Sequence, residues 1–149
     1  MRWTAMLLGG LFAMTPLHAQ VYEAAPGPYA DIVADGAAKA QIVLPAEPTF
    51  LEDFAARELQ SYVERISGAT LPIVAEEDAA GGGFSFVLGA TNAADAAGIV
   101  PDEDAMGRDG FTMRSEGDAL VIRGRNDLGT LFGVYELLER HLGVRWYMP

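Results

Sequence analysis

The stretch from Gly129 to Tyr147 constrains this chain most. Leu128, Leu131, Phe132, Tyr135, Leu138 and Leu142 recur three and four residues apart, the spacing of one apolar helical stripe. Gly143 then stops the helix, and Val144-Arg145-Trp146-Tyr147 reads as extended. Leu137 lies opposite the stripe, so the helix is expected to touch something on a second side. Gly129 and Gly133, four residues apart, would let another backbone come close on one flank. The chain stops just after this segment, where a following domain would be expected to begin.

A second helix marks its own start. Thr49-Phe50-Leu51-Glu52 is a capping box: the Thr49 hydroxyl and the Glu52 carboxylate each satisfy a free backbone donor. Leu51, Phe54, Ala55, Leu59, Tyr62, Val63 and Ile66 follow at helical spacing, and Gly68 closes the helix. Between and around the helices the pattern changes to short apolar runs. Strands are expected at Ile32-Val33, at 41–44, at 71–74 on an edge because of Pro72, and centrally at 84–89. A short helix is expected from Thr91 or Asn92 to Gly98, and an acidic loop over 101–108. Strands over 110–115 and 119–124 are joined by Glu116-Gly117-Asp118 as a tight hairpin. This order of elements predicts an α+β fold, a mixed β-sheet with helices packed on one face. The other face would be partly open or covered by a neighbour.

Residues 1–19 carry a basic Arg2, an apolar run over 5–14 too short to cross a bilayer, and Thr15-Pro16-Leu17-His18-Ala19 before a cut. They read as a secretory signal, which places the protein in the periplasm or outside the cell. Residues 20–37, with Ala25-Pro26-Gly27-Pro28, read as a lead-in segment, and 38–149 as the folded domain. Removing 1–19 takes away Arg2 and no acid, leaving 9 basic and 21 acidic side chains, a net of −12. Such a surface repels phosphate backbones, which argues against nucleic-acid partners. No membrane span is expected once the signal is gone. The absence of cysteine excludes disulfides, thiolate metal sites and a cysteine nucleophile.

Motifs that carry chemistry are thin. Gly124-Arg125-Asn126-Asp127-Leu128-Gly129-Thr130 sits where a phosphate loop would, but Thr130 replaces the required lysine, so a helix turn capped by Asn126 or Asp127 is expected. Glu139-Arg140-His141 lacks the second histidine of a zinc helix, Leu137 standing in its place. Asp102-Glu103-Asp104 and Glu76-Glu77-Asp78 lack the alternating ligands of a calcium loop. No acid pair or Ser/His/Asp set stands out. No catalytic, cofactor-binding or metal-binding residue is therefore assigned, and no cofactor is expected. Arg145, Trp146 and Tyr147 remain as the candidate contact: an aromatic hinge between domains, or a platform on which a sugar ring stacks.

Five segments in order resemble a known family. They are Ala55-Ala56-Arg57-Glu58-Leu59-Gln60-Ser61-Tyr62-Val63 with Ile66-Ser67-Gly68-Ala69-Thr70-Leu71-Pro72-Ile73; Phe86-Val87-Leu88-Gly89; Asp109-Gly110-Phe111-Thr112-Met113; Leu120-Val121-Ile122-Arg123-Gly124; and the closing run, Gly129 to Glu139 with Leu142 to Pro149. Together they resemble the N-terminal domain of family 67 alpha-glucuronidases, which is similar to the second domain of beta-hexosaminidases and occurs in domain-of-unknown-function 4838 proteins. The resemblance implies a zincin-like fold without the zinc, set beside a catalytic (β/α)8 barrel that holds the catalytic carboxylates. None of those carboxylates maps onto this sequence. The implied role is a non-catalytic accessory domain of an exported carbohydrate-active enzyme, bracing the barrel in polysaccharide breakdown. The alternatives are a stand-alone periplasmic carbohydrate-binding module, with a poly- or oligosaccharide as partner, or alpha-glucuronidase activity on xylan side chains.

Overall fold

The computed structural model describes residues 30–102 and 104–147. Residues 1–19, expected to be a signal with its cut, the Ala25-Pro26-Gly27-Pro28 stretch, Glu103 and Met148-Pro149 lie outside the described residues. Strand β1 (Val33–Ala34) and strand β2 (Ala37–Ala38) form a small antiparallel hairpin. Its two-residue turn is Asp35-Gly36, with φ of 53° and 72°. Two successive positive φ values are the signature of a turn whose twist matches paired strands, and Asp-Gly is one of the dipeptides that favour it. Strand β3 (Ala40–Leu44) follows, then helix α1 (Phe50–Ser67), strand β4 (Ile73–Ala75), strand β5 (Phe84–Leu88), helix α2 (Asn92–Ala96), strand β6 (Phe111–Glu116), strand β7 (Ala119–Gly124) and helix α3 (Asp127–Arg140).

The main sheet runs β4-β3-β5-β7-β6. The first four strands in this order are mutually parallel, and β6 pairs antiparallel with β7. The sheet is mixed and the fold α+β, as the order of elements predicts. β5 lies in the middle and β4 on an edge, the positions expected from an apolar run and from Pro72.

Side chains alternate along the strands and so build two cores. Ala40, Ile42, Leu44, Phe86, Leu88 and Ile122 point toward α1 and α3. Val43, Val87 and Val121 point the other way, where Ala94 of α2 and Ile99 cover them. The two long helices share one face. The opposite face is closed in part by α2 and the turn after it, which accounts for strands that are apolar on both sides.

The α1 capping box is complete: Thr49 Oγ1 accepts from Glu52 N at 3.2 Å, and Glu52 Oε2 accepts from Thr49 N at 2.9 Å. Within α1 the stripe is narrower than its spacing suggests. Ala55, Leu59 and Val63 are buried, while Phe54 is 38% and Ile66 58% exposed. In α3 the buried set is likewise rotated. Leu137 is buried in the core with Leu138, and Phe132 faces out. The expectation that Leu137 lies off the core face and Phe132 on it is corrected. Gly129 and Gly133 turn that flank of the helix against the β6–β7 hairpin, and the rotation carries Leu137 inward. A β-carbon on Gly129 would lie 2.6 Å from the Gly110 carbonyl oxygen, and one on Gly133 would strike Ile122 and the Phe111 ring. The close approach expected of these glycines is therefore made within the domain. Val144-Arg145-Trp146-Tyr147, expected to be extended, form no strand.

Candidate functional site

Downstream of α3 the chain folds back over the helical layer and sets Trp146 onto both long helices. The Trp146 ring stands edge-on to Tyr62 of α1 (centroids 6.0 Å apart, 76° between planes) and to Tyr135 of α3 (5.4 Å, 83°). The edge-to-face arrangement places the positive ring edge of one aromatic against the negative face of another. Trp146 Nε1 donates to the Tyr62 hydroxyl at 3.1 Å. The Tyr135 hydroxyl donates to Glu58 Oε2 at 3.3 Å, and the Arg65 guanidinium lies 5.2 Å from the centroid of the Tyr62 ring. The cluster is a clasp between α1, α3 and the segment that leaves α3.

The three residues singled out from sequence take separate roles. Trp146 enters the clasp and stays 45% exposed. Arg145 turns back, its Nη1 donating at 2.7 Å to the carbonyl of Glu139 in the last turn of α3, where unpaired carbonyls favour a cation, and at 3.0 Å to the carbonyl of its neighbour Val144. Tyr147 stands 87% exposed. Sequence reasoning missed Glu58 and Arg65 and placed Tyr62 and Tyr135 in the core stripes. The available signal was that both tyrosines sit at the flank of their stripe, where a hydroxyl can reach a polar partner.

Burial raises the Tyr135 hydroxyl above the ordinary phenol range, and the Glu58 carboxylate that accepts its hydrogen bond pushes the same way. A phenol held protonated in the fold contributes stability that is fully present below the unfolded value, about 10, and is lost as pH rises through the higher folded value. The stability gap between the chain and its Tyr135→Phe variant is therefore expected to shrink as the pH is raised above about 10 in urea-unfolding series. A gap that widens there would contradict the clasp. Trp146→Ala is expected to lower stability by about 1–2 kcal/mol, since the ring is only half buried, as read by thermal unfolding.

A concavity of about 270 Å³ lies at the C-terminal ends of the parallel strands and touches Thr49, Glu52, Arg123, Arg125, Asn126 and Asp127. Its polar groups are engaged by the fold. Asn126 Oδ1 accepts from Gly129 N at 2.7 Å, and its amide donates to Asp109 at 3.0 Å. The Gly124 N–H donates to Thr130 Oγ1 at 3.0 Å. Arg123 pairs with Asp95 and donates to the Ile99 carbonyl; Arg125 donates to the Met106 carbonyl. The glycine-containing turn is thus a capped helix start, as its missing lysine suggests. Asp102 Oδ1 accepts from the backbone N–H groups of Asp104 and Ala105, and Glu76 grips the backbone and side-chain amides of Asn92. Both acidic stretches hold turns. Among the described residues no His/Cys/Asp/Glu group is arranged to hold a metal, and no helix is long and apolar enough to cross a membrane.

No curated protein sequence matches the chain. Solved structures do. A family GH115 4-O-methyl-alpha-glucuronidase with specificity for decorated arabinogalactans aligns at TM-score 0.52 and 18% identity, over 71% of this chain and 14% of its own. CpGH84D aligns at TM-score 0.50 and 16% identity, over 79% of this chain and 21% of its own. These likenesses are of fold, and the chain spans about a seventh to a fifth of the structures' length. The family model described as the glycosyl hydrolase family 67 N-terminus matches residues 29–137. That is well over half of the sequence, and the chain belongs to this family of glycoside hydrolase N-terminal domains.

Proposed function

We propose that this chain is the non-catalytic accessory domain of an exported carbohydrate-active enzyme, where it braces a catalytic (β/α)8 barrel during polysaccharide breakdown. The observation that carries this reading is the clasp. A domain that must hold a neighbour at a fixed angle needs a stiff junction, and here the segment leaving α3 is pinned by Trp146 to both helices within six residues of the helix end. Family membership supports the same reading, since the family model describes an N-terminal part of glycoside hydrolases. Export rests on the signal-like residues 1–19. The carboxylates that such hydrolysis requires would come from the barrel, not from this chain.

The coding sequence beyond Pro149 tests the proposal. An open frame that encodes a barrel with an acid pair is the expected result, and a stop codon would contradict it. In that case the stand-alone carbohydrate-binding module takes its place, and Trp146→Ala should abolish glycan binding rather than only loosen the clasp.

A further inference from the structure

We infer that the crevice at the C-terminal ends of β3, β5 and β7 binds a small neutral molecule rich in hydroxyls, of the size of one sugar ring, with Glu52 as its acceptor. This site is separate from the Trp146 clasp and does not depend on a bracing role. The topology points to the place. β3 and β5 are neighbours in the sheet, yet the chain leaving β3 enters α1 on one face and the chain leaving β5 enters α2 on the other. Neighbouring parallel strands whose connections part to opposite faces leave a crevice outside their carboxyl ends, and open α/β sheets bind ligands there. The concavity of about 270 Å³ lies in that gap, between Thr49 and Glu52 after β3, Ala90 after β5 and Arg123 near the end of β7.

Glu52 identifies the kind of ligand. It lines the crevice, yet it is only 7% exposed. Its Oε2 accepts from Thr49 N, while its Oε1 accepts nothing among the described residues. No sealed side-chain oxygen among those residues lacks a partner, so Oε1 opens onto the crevice. The residue after β5 makes room for it: a β-carbon on Gly89, whose φ is +83°, would overlap Glu52 Oε1. A carboxylate oxygen so far withdrawn from water gains most from a donor brought to it, and a hydroxyl bonded to an ionised acceptor is held about twice as strongly as one bonded to a neutral acceptor. The inward carboxylate disfavours an anion, and the Arg123 and Arg125 guanidiniums on the same wall disfavour a cation. Val100, which is exposed, and Pro101 form an apolar lip for the C–H face of a ring. The volume lies just below the usual range of small-molecule pockets, about 300–1,000 Å³, which suits one ring and not a chain of them.

Amide chemical shifts of the isotope-labelled 149-residue chain test this by titration with glucose, galactose and xylose, and with glucuronate and glucosamine as the anionic and cationic counterparts of glucose. At least one neutral sugar is expected to give saturable shifts at Glu52, Gly89 and Ala90, and both charged sugars to bind more weakly than glucose. Glu52→Gln should weaken the binding about tenfold, because the ionised acceptor is lost, while the helix start holds, since a capping box accepts glutamine at this position. Ala90→Trp replaces a small exposed wall residue, leaves Glu52 in place and should abolish the shifts by filling the mouth of the crevice. It decides the matter where Glu52→Gln fails to fold. The absence of saturable shifts with every neutral sugar would overturn the inference, as would shifts centred elsewhere or binding unchanged in Ala90→Trp. Glucuronate or glucosamine bound as tightly as glucose would overturn the assignment of a neutral ligand.

Discussion

Replacing Gly124 by alanine is expected to destabilise the domain by roughly 3 kcal/mol, a fall in melting temperature on the order of 10 °C. Gly124 is the last residue of β7, and the backbone passes there directly beneath the first turn of α3. A β-carbon would overlap Thr130 N and Asn126 O and lie 2.5 Å from the Gly129 carbonyl carbon. All three are backbone atoms, so no side chain can rotate away. Either the strand end shifts or the helix start lifts, and lifting breaks the cap that Asn126 makes to Gly129 N. Gly81→Ala is the control: a β-carbon there meets nothing within 4 Å, and the change should stay within about 0.5 kcal/mol. Calorimetry on both variants checks the pair. Equal melting temperatures would mean that α3 does not start against β7 as described.

Leu59→Ala should cost about 3 kcal/mol by urea unfolding. Leu59 is fully buried in the cluster it forms with Ile42, Leu88, Ile122 and Leu138, between α1, the sheet and α3. Truncation removes the transfer energy of the lost atoms and leaves a cavity that two helices and a sheet cannot readily close. Ile66, which helical spacing assigns to the same stripe, is 58% exposed, and Ile66→Ala should change stability by about 0.5 kcal/mol or less. Comparable losses for the two would contradict the orientation of α1.

The pair also shows where sequence reading succeeds and where it stops. The start of α1 was legible because its cap is local chemistry: Thr49 and Glu52 satisfy donors within their own turn. The β6–β7 hairpin, the central place of β5 and the edge place of β4 were legible for the same reason, since turn residues, apolar runs and a proline act over a few residues. The exact rotation of each helix was not. It depends on what lies across the interface: Gly129 and Gly133 fit against Gly110 and Ile122, and that contact turns Leu137 inward and Phe132 outward. The Asp35-Gly36 turn is readable in principle, since an Asp-Gly pair favours two successive positive φ values. The clasp was half legible. Trp146 stood out as an aromatic beyond the core stripes, but its partners Tyr62 and Tyr135 are 84 and 11 residues away, and nothing in one sequence joins them. Fold class and family resemblance needed only the order of local segments, which is why they were within reach.

The most direct test of the accessory role is to remove this domain from the full gene product and measure the thermal inactivation of what remains. The account predicts that the catalytic part without residues 1–147 inactivates at a clearly lower temperature than the intact product, while the isolated chain releases no glucuronic acid from decorated xylan. A catalytic part that keeps its full stability and turnover without this domain would contradict the bracing role, as would sustained hydrolysis by the isolated chain.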